Sequence, residues 1–211
     1  MDIDEINRLN NLNCYEDELF SNGLDLIAGV DEAGRGCLAG PIVAAAVILK
    51  RKSLSIQSLN DSKKIAPPKR KEIFKKIINS ALCYSVAKIP NKKIDTMSLG
   101  KANIKVMELA VSRLKIKPQI VLSDGFYIKC ACDSLPIIKG DLLCASIAAA
   151  SIIAKVTRDE IMVRFSKIYP GFDLENNKGY GTYKHLEALR KRGPTHIHRR
   201  SFNGVVNKRK F

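Results

Sequence analysis

Apolar positions recur at helical spacing near the start of the chain, where Ile6, Leu9 and Leu12 punctuate a polar stretch and predict an amphipathic helix over residues 4–20. Apolar runs follow over residues 25–31 and 42–49, joined by glycine-rich sequence, and predict two strands paired antiparallel. Pro67 and Pro68 open a predicted helix over 69–81, since proline in a first turn forfeits no intrahelical bond. Residues 83–89 predict a third strand. A long amphipathic helix is predicted over 95–114, with Asp95 and Thr96 available as caps and Pro118 beyond its end. Residues 119–123 and 135–139 read as short strands that end at Asp124-Gly125 and Gly140-Asp141. An alanine-rich helix is predicted over 142–167, nearly uniformly apolar in its first half, which places that half in the core. Pro170-Gly171 stop it, and a last helix over 182–192 precedes Gly193-Pro194 and a basic, loop-like tail.

Strands first clustered and then alternating with helices imply an α/β domain on a mixed sheet, with a helical C-terminal part. The expected organisation is an N-terminal helical extension over 1–22, a core over 23–170, and a basic segment over 171–211 packed on that core. The 211 residues, 45% hydrophobic, suffice for a core that folds without staples. Neither of the longest apolar runs, 42–49 and 142–154, is long enough to cross a bilayer. The acidic start, Met1-Asp-Ile-Asp-Glu, resembles no export signal, so a cytoplasmic protein with reduced cysteines and no membrane partner is expected. Cys130-Ala-Cys132 resembles half of a metal site, but no second pair or nearby histidine completes four ligands at zinc-like spacing.

Charge changes the picture more than composition does. A formal net charge of +15 and a pI near 9.6 point to a polyanionic partner. The first 22 residues hold six acids against Arg8 alone, which leaves 35 basic and 15 acidic residues, or +20, on the remainder. Such an excess exceeds what solubility needs, and nucleic acid is favoured over an acidic protein or a membrane surface.

Four acids sit at or just beyond predicted strand ends: adjacent Asp31 and Glu32, then Asp124, then Asp141. Neighbouring side chains on a strand point to opposite faces, so Asp31 and Glu32 are expected to share a site only if their strand stops or bends at the glycine turn. Asp124-Gly125 and Gly140-Asp141 each pass, taken singly, for ordinary turns. Gathered together, four carboxylates repel one another unless cations neutralise them, and hard oxygen ligands suit Mg²⁺ or Mn²⁺. A basic protein with such a cluster reads as a metal-dependent nuclease.

The chain resembles the ribonuclease HII family, the type 2 ribonucleases H. The resemblance rests on Gly29-Val-Asp-Glu-Ala-Gly-Arg-Gly36, Leu38-Ala-Gly-Pro41, Asn60-Asp-Ser-Lys-Lys64, Ser123-Asp-Gly125, Lys139-Gly-Asp141, the run from Ser146 to Asp159, Gly179-Tyr-Gly-Thr-Tyr-Lys-His185 and Gly193-Pro-Thr-His196, in the family's order. It implies a ribonuclease H-like fold and endonucleolytic cleavage of the RNA strand in RNA–DNA hybrids and at single ribonucleotides in duplex DNA, leaving 3′-hydroxyl and 5′-phosphate ends. By matching position, Asp31, Glu32, Asp124 and Asp141 are the implied metal-binding catalytic acids. Gly34, Arg35 and Gly36 are the implied ribonucleotide readers, with Tyr180 working beside them. Asn60, Ser62 and Lys63 are the implied contacts to the phosphate backbone.

A monomer is expected, and the segment before Asp25 has no room for the extra N-terminal substrate-binding domain of the sister family, ribonuclease HIII. Three positions depart from the family pattern: Cys37 where proline is common, Ser123 where an apolar residue is frequent, and Leu142-Leu143 where smaller or polar residues often stand. Asp159 is expected to form a helical surface ion pair. His185, His196 and His198 are expected at the surface or on phosphates, and Arg190, Lys191, Arg192, Arg199, Arg200, Lys208, Arg209 and Lys210, the last three of which lie outside the residues described below, are expected to grip phosphates.

Overall fold

The computed structural model describes residues 3–51, 56, 59, 62 and 65–206; Asn60 and Lys63 of the expected phosphate-contact loop lie outside the described residues. In chain order the elements are α1 (Ile3–Ser21), β1 (Ile27–Ala33), β2 (Ile42–Leu49), α2 (Pro67–Ser80), β3 (Ala81–Ile89), α3 (Asn91–Met97), α4 (Leu99–Ser112), β4 (Ile120–Asp124), β5 (Asp133–Ile137), α5 (Gly140–Leu143), α6 (Ala145–Ile168), α7 (Leu174–Asn177) and α8 (Tyr183–Arg192). The strands form one mixed sheet in the order β3-β2-β1-β4-β5, with β1 antiparallel to β2 and parallel to β4, and β4 parallel to β5.

Strand β2 is buried along its whole length, which is why its sequence is apolar without alternation. Its residues divide between the two faces: Ala45, Val47 and Leu49 pack under α6 in a cluster that α1 and α2 complete, whereas Ala44, Ala46 and Ile48 pack under α4. The small residues of α6 let its backbone approach β1 closely. A Cβ at Gly29 would stand only 2.1 Å from the Ser146 carbonyl carbon, so glycine is required there by space. A third cluster, of Leu38, Met162, Phe172, Leu174, Leu189, Ile197 and Val205, fastens the C-terminal part to the glycine turn and to α6.

Several expectations are corrected. The first strand does not stop at Asp31, because its ladder with β2 continues through Asp31↔Ala45, Glu32↔Ala44 and Ala33↔Val43. The helix expected over 95–114 is two helices, α3 and α4, broken at Ser98, whose φ of 73° no helix accommodates. Asp95 caps neither of them; its carboxylate accepts from the backbone N–H of Arg200 and Ser201, at 3.0 Å each, and ties the C-terminal segment to α3. The helix expected over 142–167 is likewise split, by extended Cys144, into α5 and α6. The short α7 was not anticipated from its polar Leu174-Glu-Asn-Asn177 sequence.

Candidate active site

Strands β1, β4 and β5 run parallel, and their carboxyl ends deliver acids to one edge of the sheet, the place where ligands bind in sheets of this kind. Val30 pairs with Ser123, so Asp31 and Asp124 follow side by side; Asp141 comes from α5, four residues beyond β5. Gly140 donates its N–H to Asp124 Oδ1 at 2.8 Å and couples the two ends. Ser123 donates to the Phe126 carbonyl at 2.6 Å, closing the turn after Asp124 with a bond an apolar residue could not make.

Asp31 and Glu32 remain on opposite faces, as an unbroken strand requires. Asp31 is 5% exposed, lies beneath α6 and is hydrogen-bonded to Ser151, whereas Glu32 reaches Asn103 of α4 on the other face. What unites them is Asp124, which acts electrostatically on both. Burial, then Glu32 and Asp124, hold the Asp31 carboxyl well above the ordinary carboxylate range. Burial and Asp124 likewise raise Glu32, although Arg35 opposes the shift. Glu32 Oε2 is buried without a hydrogen-bond partner.

These acids border a cavity of about 540 Å³ whose walls include Glu32, Asp124, Asp141, Gly34, Arg35, Gly36, Ser62, Lys139, Lys155 and Tyr180. Asp31 sits behind its wall. All the implied site residues among the described ones except Asp31 therefore line this cavity. The donor set is all oxygen, its buried acids repel one another, and one acid oxygen is orphaned, so the residues fit a hard divalent cation. Among the described residues, however, no three such side chains already stand close enough to form a metal cage.

The glycine turn is held from behind. Gly34 has φ +91°, and a Cβ there would meet the Arg158 side chain. Arg35 is exposed and rests its guanidinium over the Phe126 ring, 4.8 Å from its centroid. Tyr180 is 40% exposed and lies under Lys155, whose Nζ is 5.9 Å from the ring centroid.

The ribonuclease HII family model matches residues 28–205. The chain is 48% identical over 188 residues to the Ribonuclease HII of Caldicellulosiruptor bescii, covering 89% of this chain and 91% of that protein. The chain belongs to the ribonuclease HII family. Among solved structures it is similar to the ribonuclease H2 of Pyrococcus horikoshii OT3, with a TM-score of 0.74 at 28% identity over 85% of this chain and 94% of that one. The RNase HII in the PCNA:RNase HII complex from Archaeoglobus fulgidus shares the fold, with a TM-score of 0.74 at 24% identity over 88% and 98% of the two chains. Membership of the ribonuclease HII family makes the chain a metal-dependent endoribonuclease acting on the RNA of RNA–DNA hybrids.

In this ribonuclease HII fold several outlying expectations fail. His185 and His198 are buried against Phe172, the first edge-on and the second tilted, rather than displayed, while His196 is exposed. Arg199 is wholly buried and spends its guanidinium on main-chain carbonyls, so it is no phosphate grip. Asp159 forms the expected helical ion pair, with Lys155 at 2.7 Å, but largely buried and not at the surface, and it also bridges Arg70 at 3.4 Å, joining α6 to α2. Ser62 reaches the cavity, but its hydroxyl is shared with Ser151 at 3.0 Å and its carbonyl accepts from Arg70. Lys139, Lys155, Ser151 and Asn103 were missed. A lone amide on the apolar stripe Ala102, Val106, Met107 and Ala110 was the available signal for Asn103.

Proposed function

We propose that this chain binds divalent ions, Mg²⁺ or Mn²⁺, through Asp31, Glu32, Asp124 and Asp141, and hydrolyses the RNA strand of hybrids and the phosphodiester beside single ribonucleotides in duplex DNA. The observation that carries the proposal is the delivery of these acids to the carboxyl ends of β1, β4 and β5, with Glu32, Asp124 and Asp141 on a cavity also walled by Gly34–Gly36 and Tyr180. A pair of divalent ions, when bound, supplies Lewis acidity and an activated water, which would leave 3′-hydroxyl and 5′-phosphate ends. The four carboxylates hold that charge in place, and Gly140 keeps Asp124 oriented through its N–H. The bare glycines admit a sugar close to the main chain, where a 2′-hydroxyl can be bonded. Tyr180 offers a ring face at the cavity mouth, Lys155 a cation beside it, and Ser62 with the neighbouring Asn60 and Lys63 a phosphate contact.

The test is a titration of Mg²⁺ and Mn²⁺ against three substrates: a continuous RNA–DNA hybrid, a DNA duplex with one ribonucleotide, and an all-DNA duplex. Cleavage of the first two, dependent on the ion and absent from the third, is expected. Binding of the hybrid without cleavage at any ion concentration would reduce the chain to a basic binding module. Cleavage of the all-DNA duplex would overturn the ribonucleotide dependence.

A further inference from the structure

Two buried basic groups on one short stretch of chain, His198 and Arg199, have no role in the chemistry above, yet each ends on a different wall of the cavity. Arg199 donates from Nη2 to the Gly34 carbonyl at 2.7 Å, from Nη1 to that of Arg35 at 2.8 Å, and from Nε to that of Gly40 at 3.0 Å. Only a guanidinium presents donors in a fork that can hold three carbonyls of one turn. The segment is also stitched to the turn by its main chain, with Arg199 N donating to Leu38 O at 2.8 Å and Gly40 N to Ile197 O at 2.9 Å.

His198 works towards the other wall. Its Nδ1 lies 3.0 Å from the Thr195 backbone nitrogen, its Nε2 lies 3.0 Å from His185 Nε2, and His185 Nδ1 lies 2.8 Å from the Tyr180 carbonyl. The ends of this chain dictate its proton positions, because a backbone N–H can only donate and a carbonyl can only accept. His198 Nδ1 must then accept, its Nε2–H donate to His185 Nε2, and His185 Nδ1–H donate to Tyr180. Each ring nitrogen is satisfied with both rings neutral. Burial favours the same state: it lowers the pKa of His185 and, with His185 beside it, pushes His198 down to about 4.

We infer that residues 195–199 are a positioning segment that sets the spacing between the glycine turn, through Arg199, and Tyr180, through His198 and His185. The inference rests on the proposed reading of those two elements as the ribonucleotide-contacting surface. Both halves of that surface are tied to one five-residue stretch, which adds to the direct bond from Leu38 N to Gly179 O at 2.8 Å and to the Arg158 bonds to Ala39 O and Lys178 O, so they are placed together and not independently. A lone ribonucleotide, which offers one productive register, depends on that spacing more than a continuous hybrid does.

The experiment compares wild type with His198→Phe, which keeps an aromatic against Phe172 but breaks the relay, and with His198→Gln, whose amide can restore a donor towards His185. Specificity constants are measured on both ribonucleotide-containing substrates, with thermal melts, and the imidazole protonation sites of wild type are read from long-range ¹H–¹⁵N spectra. The expectation is a loss in kcat for His198→Phe at least about tenfold greater on the lone ribonucleotide than on the hybrid, with KM little changed and partial recovery in His198→Gln, since misplacing reacting groups by an ångström can cost ~100-fold. The spectra should show His185 protonated at Nδ1 alone and His198 at Nε2 alone. Equal losses on both substrates, no difference between Phe and Gln, or the opposite tautomers would overturn the inference while leaving the proposed activity standing. Wild type that cuts neither substrate would overturn the proposed function, and this inference with it.

Discussion

Glu16 of α1 caps α6: its Oε1 accepts from the backbone N–H of Ser146 at 2.8 Å and from the Ser146 hydroxyl at 2.7 Å, across 130 residues of sequence. The carboxylate thus satisfies an orphan donor at the positive end of a 24-residue helix. It does so while buried, with Oε2 unpartnered, and burial lifts its pKa from 4.5 to about 6 despite the Ser146 bonds.

That shift makes stability depend on pH. Between about 4.5 and 6 the folded protein holds the Glu16 proton and the unfolded chain does not, so this group's contribution falls as pH rises through the window. Above it, the buried charge costs about 2 kcal/mol relative to acid conditions. Glu16→Gln keeps an acceptor for Ser146 without the charge. The stability of wild type minus that of Glu16→Gln, from urea melts, should be about 2 kcal/mol more favourable to wild type at pH 4.5 than at pH 7.5. A difference that does not change with pH would show that Glu16 does not titrate in this range.

Gly29→Ala should destabilise the fold by about 3 kcal/mol or more, as overpacking against a backbone that cannot retreat. The added Cβ would stand 2.1 Å from Ser146 C and 2.3 Å from Ile147 N, main-chain atoms of α6. A denaturation midpoint within experimental error of wild type would mean that α6 can move off the sheet.

Asp124→Asn should abolish cleavage of a hybrid in Mg²⁺ while leaving hybrid affinity within a few-fold, because the amide keeps size and can still accept from Gly140 but loses the charge that holds a cation. Calorimetry should show weakened Mn²⁺ binding by the same variant. Near-normal turnover would remove Asp124 from the site.

Tyr180→Ala should depress cleavage at a lone ribonucleotide by up to ~100-fold and cleavage of continuous hybrid by less, since several registers are available there. Equal losses on the two substrates, in a variant that circular dichroism shows to be folded, would demote Tyr180 to packing.

The exposed arginines of the C-terminal part should contribute affinity without specificity. Arg190→Gln combined with Arg200→Gln should lower the slope of log affinity against log salt by at most about 0.9 for each phosphate that is no longer neutralised. An unchanged slope would show both side chains to be merely solvated.

The sequence by itself determined the class of partner and the order of most of the elements, and it set four acids at or just beyond strand ends, because net charge, apolar runs and short motifs are local properties. It also carried the glycine turn and Tyr180 within recognisable motifs. Only the tertiary structure decided how two adjacent acids on an unbroken strand come under one influence: Asp31 and Glu32 face opposite ways, and the charge of Asp124 on the neighbouring parallel strand raises the pKa of both. Only it turned Arg199, His185 and His198 from expected surface or phosphate-contacting groups into a buried scaffold. The physical reason is distance along the chain. Arg199 finds its acceptor in Gly34, 165 positions away, and Glu16 its donor in Ser146. Whether a polar side chain is solvated or buried and paired depends on such remote partners, and neither its own residue type nor its neighbours in sequence record them.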